Sequence, residues 1–308
     1  MNASGQQMVF SCSWAVYWSS CAVKHPPAEW ETQCGAVPWE ENQISDTCHL
    51  WRYGEDLKPT WGQGAKAPLT QRVLSGTGMG GVGDVIEYAS SIFALNWRGV
   101  TGNPGAFNDP DFLIVGCPTD RPCDHAVRAA AAQGSAQGRG PASLGPPPPP
   151  PLPSTTDIEQ RTQFSMWCVL AAPLIIGSDV RSLSATALAT LSNKAAIAIN
   201  QDSDAAPPRL LQKRDGDSPY QIWARHLHGG EVAIALINTG DAPLDITVQL
   251  HDVVCAGCPP KARLVDVWAG DEALGSAGPA EPVVADGSYT AKGVRAHETV
   301  LLRGTPVQ

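Results

Sequence analysis

The chain has 308 residues, 43% of them apolar and 17% charged, enough for one large core or two ordinary ones, and this excludes wholesale disorder. Against 30 acidic residues stand 21 basic ones, a net charge of −9 that excludes the clustered positive footprint nucleic acid requires. The longest apolar run, Cys168 to Ile176, is nine residues interrupted by Pro173, whereas a membrane helix needs about twenty, so no membrane partner is expected.

In chain order, residues 1–115 alternate short apolar runs with turn residues. Within them, residues 62–83 hold seven Gly and read as a flexible insertion. Residues 117–156 read as a second insertion, with alanines at 129–132, a Gly/Ser stretch and six prolines from Pro146 to Pro151 that favour polyproline II. Order resumes at Thr156-x-x-Glu159, the pattern of a capping box. Phe164, Trp167, Leu170, Ala171 and Leu174 then recur at helical spacing, and Pro173 marks the end. Ser184 caps a second helix with Leu188 and Leu191 on one face, and Ala196–Ile199 reads as a short strand. Helix and strand in alternation predict an α/β barrel or a doubly wound sheet.

After Ala205 the pattern changes to short apolar runs between Gly, Pro and Asp turns: 220–227, 231–238, 244–250, 263–268, 288–290 and 299–303. This predicts an antiparallel β-sandwich, so the expected division is residues 1–205 and residues 206–308.

Nine cysteines, several in Gly/Pro-rich or polar loop sequence, favour disulfides and an oxidising compartment. Zinc competes for Cys255-x-x-Cys258, but no second pair follows at ligand spacing. Cys168, inside an apolar helical pattern, is expected to be a buried free thiol. Asn2-Ala3-Ser4 fits a glycosylation sequon, yet the first residues lack the basic and apolar regions of a signal peptide.

No G-x-S-x-G elbow, phosphate-binding loop or dinucleotide fingerprint occurs. Carboxylates beside aromatics stand out instead: Trp51-Arg52-Tyr53-Gly54-Glu55-Asp56 and Asn108-Asp109-Pro110-Asp111. An Arg four residues before an Asp at a strand end can hold a carboxyl group in place and tune it. Asp-Pro-Asp in a turn can direct one carboxylate outward while the other caps a following helix. Two plainer readings stay open, a helical i,i+4 pair for Arg52–Asp56 and simple turn residues for Asp109 and Asp111.

Five strings in order carry a family resemblance: Phe10-Ser11-Cys12-Ser13-Trp14-x-x-Tyr17, Cys48-His49-Leu50-Trp51-Arg52-x3-Asp56, Asn108-Asp109-Pro110-Asp111-Phe112-Leu113, Met166-Trp167 with Leu170-Ala171-Ala172-Pro173-Leu174, and Ile197-Ala198-Ile199-Asn200-Gln201-Asp202. They resemble glycoside hydrolase family 27, the α-galactosidases and α-N-acetylgalactosaminidases. The resemblance covers most of residues 8–205 and, more loosely, the sandwich. It implies the C-terminal part of a (β/α)8 TIM barrel followed by an all-β antiparallel sandwich, and a retaining glycosidase acting on terminal α-galactose or α-GalNAc.

By that resemblance Asp56 is the general acid/base, Arg52 binds sugar hydroxyls beside it, and Asp111 lines the sugar subsite. Phe112 is an apolar wall, Tyr17 belongs to the same sugar-binding string, and Cys12 pairs with Cys48. Ser13 and Val16 stand at specificity positions, where Ser favours an N-acetyl-tolerant pocket and Val is intermediate in volume. The reaction implies no metal or organic cofactor; the partner implied is an α-galactoside or α-GalNAc-terminated carbohydrate, and a homodimer is in keeping with the family. The family's secretory-pathway setting, extracellular, lysosomal or vacuolar, is implied for the full-length protein.

The family's nucleophile is an Asp in a Lys-x-Asp string ahead of the Ser13 motif, and the twelve residues preceding Ser13 contain none. The chain is therefore expected to be a fragment, inactive by itself. The alternative is a non-catalytic sugar-binding or structural remnant of the family.

Overall fold

A computed structural model describes residues 8–13, 21, 29, 32–33, 43–53, 56–62, 80–94, 105–117, 155–214, 216–254, 259–271 and 273–307. The polyproline run, the sequon, Val16, Tyr17, Cys255 and Cys258 lie outside these residues.

The first part is built on three parallel strands, β1 (Ser11–Cys12), β2 (Leu50–Arg52) and β3 (Phe107–Asp109), in that spatial order. Helix α1 (Gln43–Thr47) precedes β2, and α2 (Val82–Ala94) precedes β3. The parallel pattern continues past β3, where Leu113 bridges Ile176. Strand, helix, strand with parallel pairing is the unit of an α/β barrel wall. Val82 and Gly83, the end of the stretch read as an insertion, begin α2, where Trp61 packs against Gly83 so closely that a Cβ there would lie 2.6 Å from the indole.

Helix α3 (Asp157–Val169) opens on the predicted capping box: Thr156 accepts from Glu159 N at 3.2 Å, and Thr156 N donates to Glu159 Oε2 at 2.7 Å. Eleven of its thirteen residues are buried, including Gln160, Arg161, Thr162 and Gln163, so its polar groups find partners inside the protein. Helix α4 (Ala185–Leu191) starts at Ser184, whose side chain accepts from Ala187 N. The strand expected at Ala196–Ile199 is instead part of helix α5 (Lys194–Asn200). Alternating Ala and Ile fit either period over four residues, and the Asn193 side chain decides the matter by accepting from Ala196 N.

The second part is antiparallel. A six-stranded sheet runs in the order β4 (Arg209–Arg214), β5 (Tyr220–His226), β6 (Val232–Asn238), β11 (Thr299–Pro306), β8 (Lys261–Asp266), β9 (Val283–Asp286), facing a two-stranded sheet of β7 (Leu244–Gln249) and β10 (Ser288–Val294). Strands β4 and β9 fall outside the predicted runs, since β4 has only two apolar residues among six and β9 is four residues long, neither with a clear alternation.

Strand β6 is buried throughout, and its period-two alternation divides it between two cores. Val232, Ile234 and Leu236 join Ile246, Val248 and Leu264 inside the sandwich. Ala233, Ala235 and Ile237 join Trp167, Phe164 and Met166 of α3 in the other core. Buried Arg225 on β5 fastens the same junction, donating through Nη1 to Ile199 O at 2.8 Å and Cys168 O at 3.2 Å, and through Nε to Ala206 O at 2.7 Å. Cys168 is buried and free, its thiol pushed up by burial.

Candidate active site

The registers Cys12↔Trp51 and Arg52↔Asp109 bring the C-terminal ends of β1, β2 and β3 to one edge. In parallel α/β architecture the segments following the strands gather on that side, where binding groups collect. Ser13, one residue beyond the Cys12↔Trp51 pair, lies alongside Arg52 and is exposed. A disulfide joins Cys12 to Cys48 with 6.0 Å between Cα atoms, and His49 Nδ1 accepts from Phe10 N at 2.9 Å, so two links tie the β1 and β2 segments together. Cys21 and Cys117 are also disulfide-bonded.

Arg52 is the hub. Its Nη2 lies 2.9 Å from Asp111 Oδ2 and 3.5 Å from Asp56 Oδ1. Because Arg52 ends a strand, its contact with Asp56 is not a helical i,i+4 pair. The Asp56 side chain is 100% exposed, so its carboxylate is open to an incoming ligand. Phe112, 51% exposed, sets an apolar ring beside Asp111.

The Asp-Pro-Asp turn differs from expectation. No helix follows it within residues 110–117, and both carboxylates are buried. Asp109 Oδ1 accepts from Asp111 N at 2.9 Å, a local Asx turn that keeps the side chain inward. Burial pushes the Asp109 carboxyl above the ordinary carboxylate range, opposed in part by that amide and by Arg52. Burial, helped by the neighbouring Asp109 charge, likewise pushes the Tyr53 hydroxyl upward and keeps it neutral.

Asp111 is held at every polar atom. Its carboxylate accepts from Leu57 N (2.7 Å) and Phe112 N (2.7 Å) besides Arg52, and its carbonyl accepts from Trp167 Nε1 at 2.8 Å. These contacts hold a φ of 91°, a backbone state that a non-glycine residue adopts only under constraint. In the sequence Trp167 stands at helical spacing and within one of the five family strings, and neither carries a sign of the indole N–H bond. Among the described residues no group of three or more His, Cys, Asp or Glu is arranged to hold a metal ion.

A partial barrel with an appended antiparallel sandwich is the fold class observed, and two carboxylates gather round an arginine at its strand ends. Residues 217–303 match the α-galactosidase C-terminal β-sandwich domain, and residues 154–202 match α-galactosidase A. Alpha-galactosidase 3 of Arabidopsis thaliana is 27% identical over 269 residues, covering 87% of this chain and 43% of the plant protein. The Coffea arabica α-galactosidase is 39% identical over 116 residues, covering 37% of this chain and 29% of the other. Two solved structures share the fold. The α-galactosidase of Saccharomyces cerevisiae with raffinose has a TM-score of 0.64 at 17% identity, covering 99% of this chain and 66% of that one. The α-galactosidase I of Mortierella vinacea has a TM-score of 0.63 at 20% identity, covering 99% of this chain and 60% of that one. The chain is thus similar to the α-galactosidases of glycoside hydrolase family 27, and it spans less than half the length of the curated relatives named here.

Proposed function

We propose that this chain contributes the acid/base half of a glycoside hydrolase site that removes terminal α-linked galactose or N-acetylgalactosamine from glycoconjugates or oligosaccharides with retention of configuration. The observation that carries the reading is Arg52 bridging Asp111 and Asp56 at the ends of adjacent parallel strands. Asp111 and Arg52 are complementary donors and acceptors for adjacent sugar hydroxyls, and Phe112 offers its ring to an apolar sugar face. Asp56, open to solvent here, is desolvated when a sugar arrives and then protonates the departing oxygen. In this reading Ser13 and Val16 meet the sugar's 2-substituent and Tyr17 lines the subsite. A retaining reaction needs a second carboxyl about 5 Å away as nucleophile, and we assign that group to sequence outside these 308 residues. The division at residues 205/206 separates the barrel and sandwich units, a secretory-pathway setting agrees with the Cys12–Cys48 disulfide, and a homodimer is one assembly the reading admits.

Titrating the 308-residue chain with galactose, N-acetylgalactosamine and glucose by calorimetry tests the proposal. Selective binding of the first two, lost in Arg52→Ala, is the expected result; equal binding of glucose, or none of any sugar, overturns it. Hydrolysis of p-nitrophenyl α-galactoside by the same chain would sink the assignment of the nucleophile elsewhere. The full exposure of Asp56 also favours a second reading, a non-catalytic sugar-binding remnant. A coding segment upstream with a Lys-x-Asp string speaks for the enzyme, and a true start at Met1 speaks for the remnant.

A further inference from the structure

Residues 111–117 carry the strained end of the site, and two different supports hold them. On one edge Leu113 pairs as a strand: its N donates to Ile175 O and its O accepts from Gly177 N, both at 2.8 Å. On the opposite edge no strand stands among the described residues. The side chain of Gln163 stands there instead, donating through Nε2 to Phe112 O and accepting through Oε1 from Ile114 N, each at 3.0 Å. In an extended segment the carbonyl before a residue and the amide after it point to the same side, so one carboxamide supplies the donor and the acceptor that one residue of a neighbouring strand would supply. One turn earlier on α3, Gln160 holds the turn that follows in a different pattern, accepting from Gly116 N at 2.7 Å and donating to Cys117 O at 3.1 Å. One turn later Trp167 donates to Asp111 O at 2.8 Å. Positions 160, 163 and 167 share one helix face over about 10 Å of rise, and all three side chains are buried.

We propose that Gln163, with Trp167 and Gln160 to either side, is the positioning residue that fixes Asp111 against Arg52. Buried amides and carbonyls without a partner are costly, so the backbone at 112–117 keeps this path only while the glutamines supply their donors and acceptors. Trp167 and Gln163 hold the peptides on which Asp111 turns, and its φ of 91° persists because Leu57, Phe112, Arg52 and Trp167 over-determine it. The bearing on sugar recognition rests on the reading of Asp111 as a sugar-binding group.

The test follows amide hydrogen exchange in the 308-residue chain and in Gln163→Met, Gln160→Met and Trp167→Phe. The Leu57 and Phe112 amides bond the Asp111 carboxylate and report its position; Leu236 in β6 is the control. Gln163→Met and Trp167→Phe are expected to speed exchange at Leu57 and Phe112 about tenfold, Gln160→Met less, with Leu236 unchanged. Unchanged Leu57 and Phe112 protection in both near variants, or an equal rise at Leu236, overturns the positioning role. Should Gln163→Met fail to fold, Trp167→Phe, which removes the indole N–H and shrinks the buried ring, decides alone, with Leu236 reporting any general loss of packing. A galactose titration on the same samples separates the two ideas. Lost Leu57 protection with weakened galactose affinity supports both. Lost protection with unaltered affinity, or with no binding in the parent chain, overturns the sugar-binding reading of Asp111 and leaves its positioning by Gln163 standing.

Discussion

Asp109 offers a test of electrostatics inside the site. Burial raises its folded-state pKa, so its ionised form is disfavoured in the folded protein relative to the unfolded chain. The sign of the linkage follows: the penalty is absent below the unfolded pKa and grows as pH rises from there through the raised folded value. Asp109→Asn keeps an oxygen for the Asp111 amide and removes the charge. Its melting temperature relative to the parent should therefore rise between about pH 4 and neutrality, and calorimetric scans across that range check it. A flat difference would show that the carboxyl is better solvated than its 7% exposure implies. At this scale the sequence made Arg52, Asp56 and Asp111 visible because each sits in a compact string with its aromatic or proline neighbours. Gln160 and Gln163 stayed hidden, since polar residues in a helix ordinarily mark the solvent side. Only the packing of α3 against residues 112–117 gives them their role.

At the scale of elements, the links between segments matter most. The Cys12–Cys48 bond closes a span of 36 residues, for which loop entropy gives about 3–4 kcal/mol. Cys12→Ala should lower stability by that order, and a urea titration under oxidising conditions checks it. Arg225→Met removes charge-assisted bonds to the carbonyls that end α3 and α5, and should destabilise by about 2–4 kcal/mol in the same assay. The ends of α3 and α4 were legible from Thr156 and Ser184, because side-chain caps leave a local signature. Helix α5 resembles a strand in sequence because four alternating residues fit both periods. Helix α2 went unseen behind a glycine-rich stretch whose last members are needed for close packing on Trp61.

For the whole molecule, strand β6 predicts how unfolding is shared. Ile234→Ala opens a cavity inside the sandwich and should cost about 2–5 kcal/mol. Ala235→Leu crowds the opposite face against α3 and should cost about 1–3 kcal/mol. Both are expected to lower one common calorimetric transition, because neighbouring residues of a single strand serve both cores; separate shifts of two transitions would refute this. The same strand bears on how the sandwich could travel in evolution or in the laboratory. Cut loose near residue 206, it would carry a face of Trp223, Ala233, Ala235, Ile237 and Leu301 from shelter into water. Such a module cannot be shuffled onto a new neighbour as a self-sufficient bead. It must inherit a helix shaped to those alanines or find a sticky substitute, which makes self-association the default fate of the isolated piece.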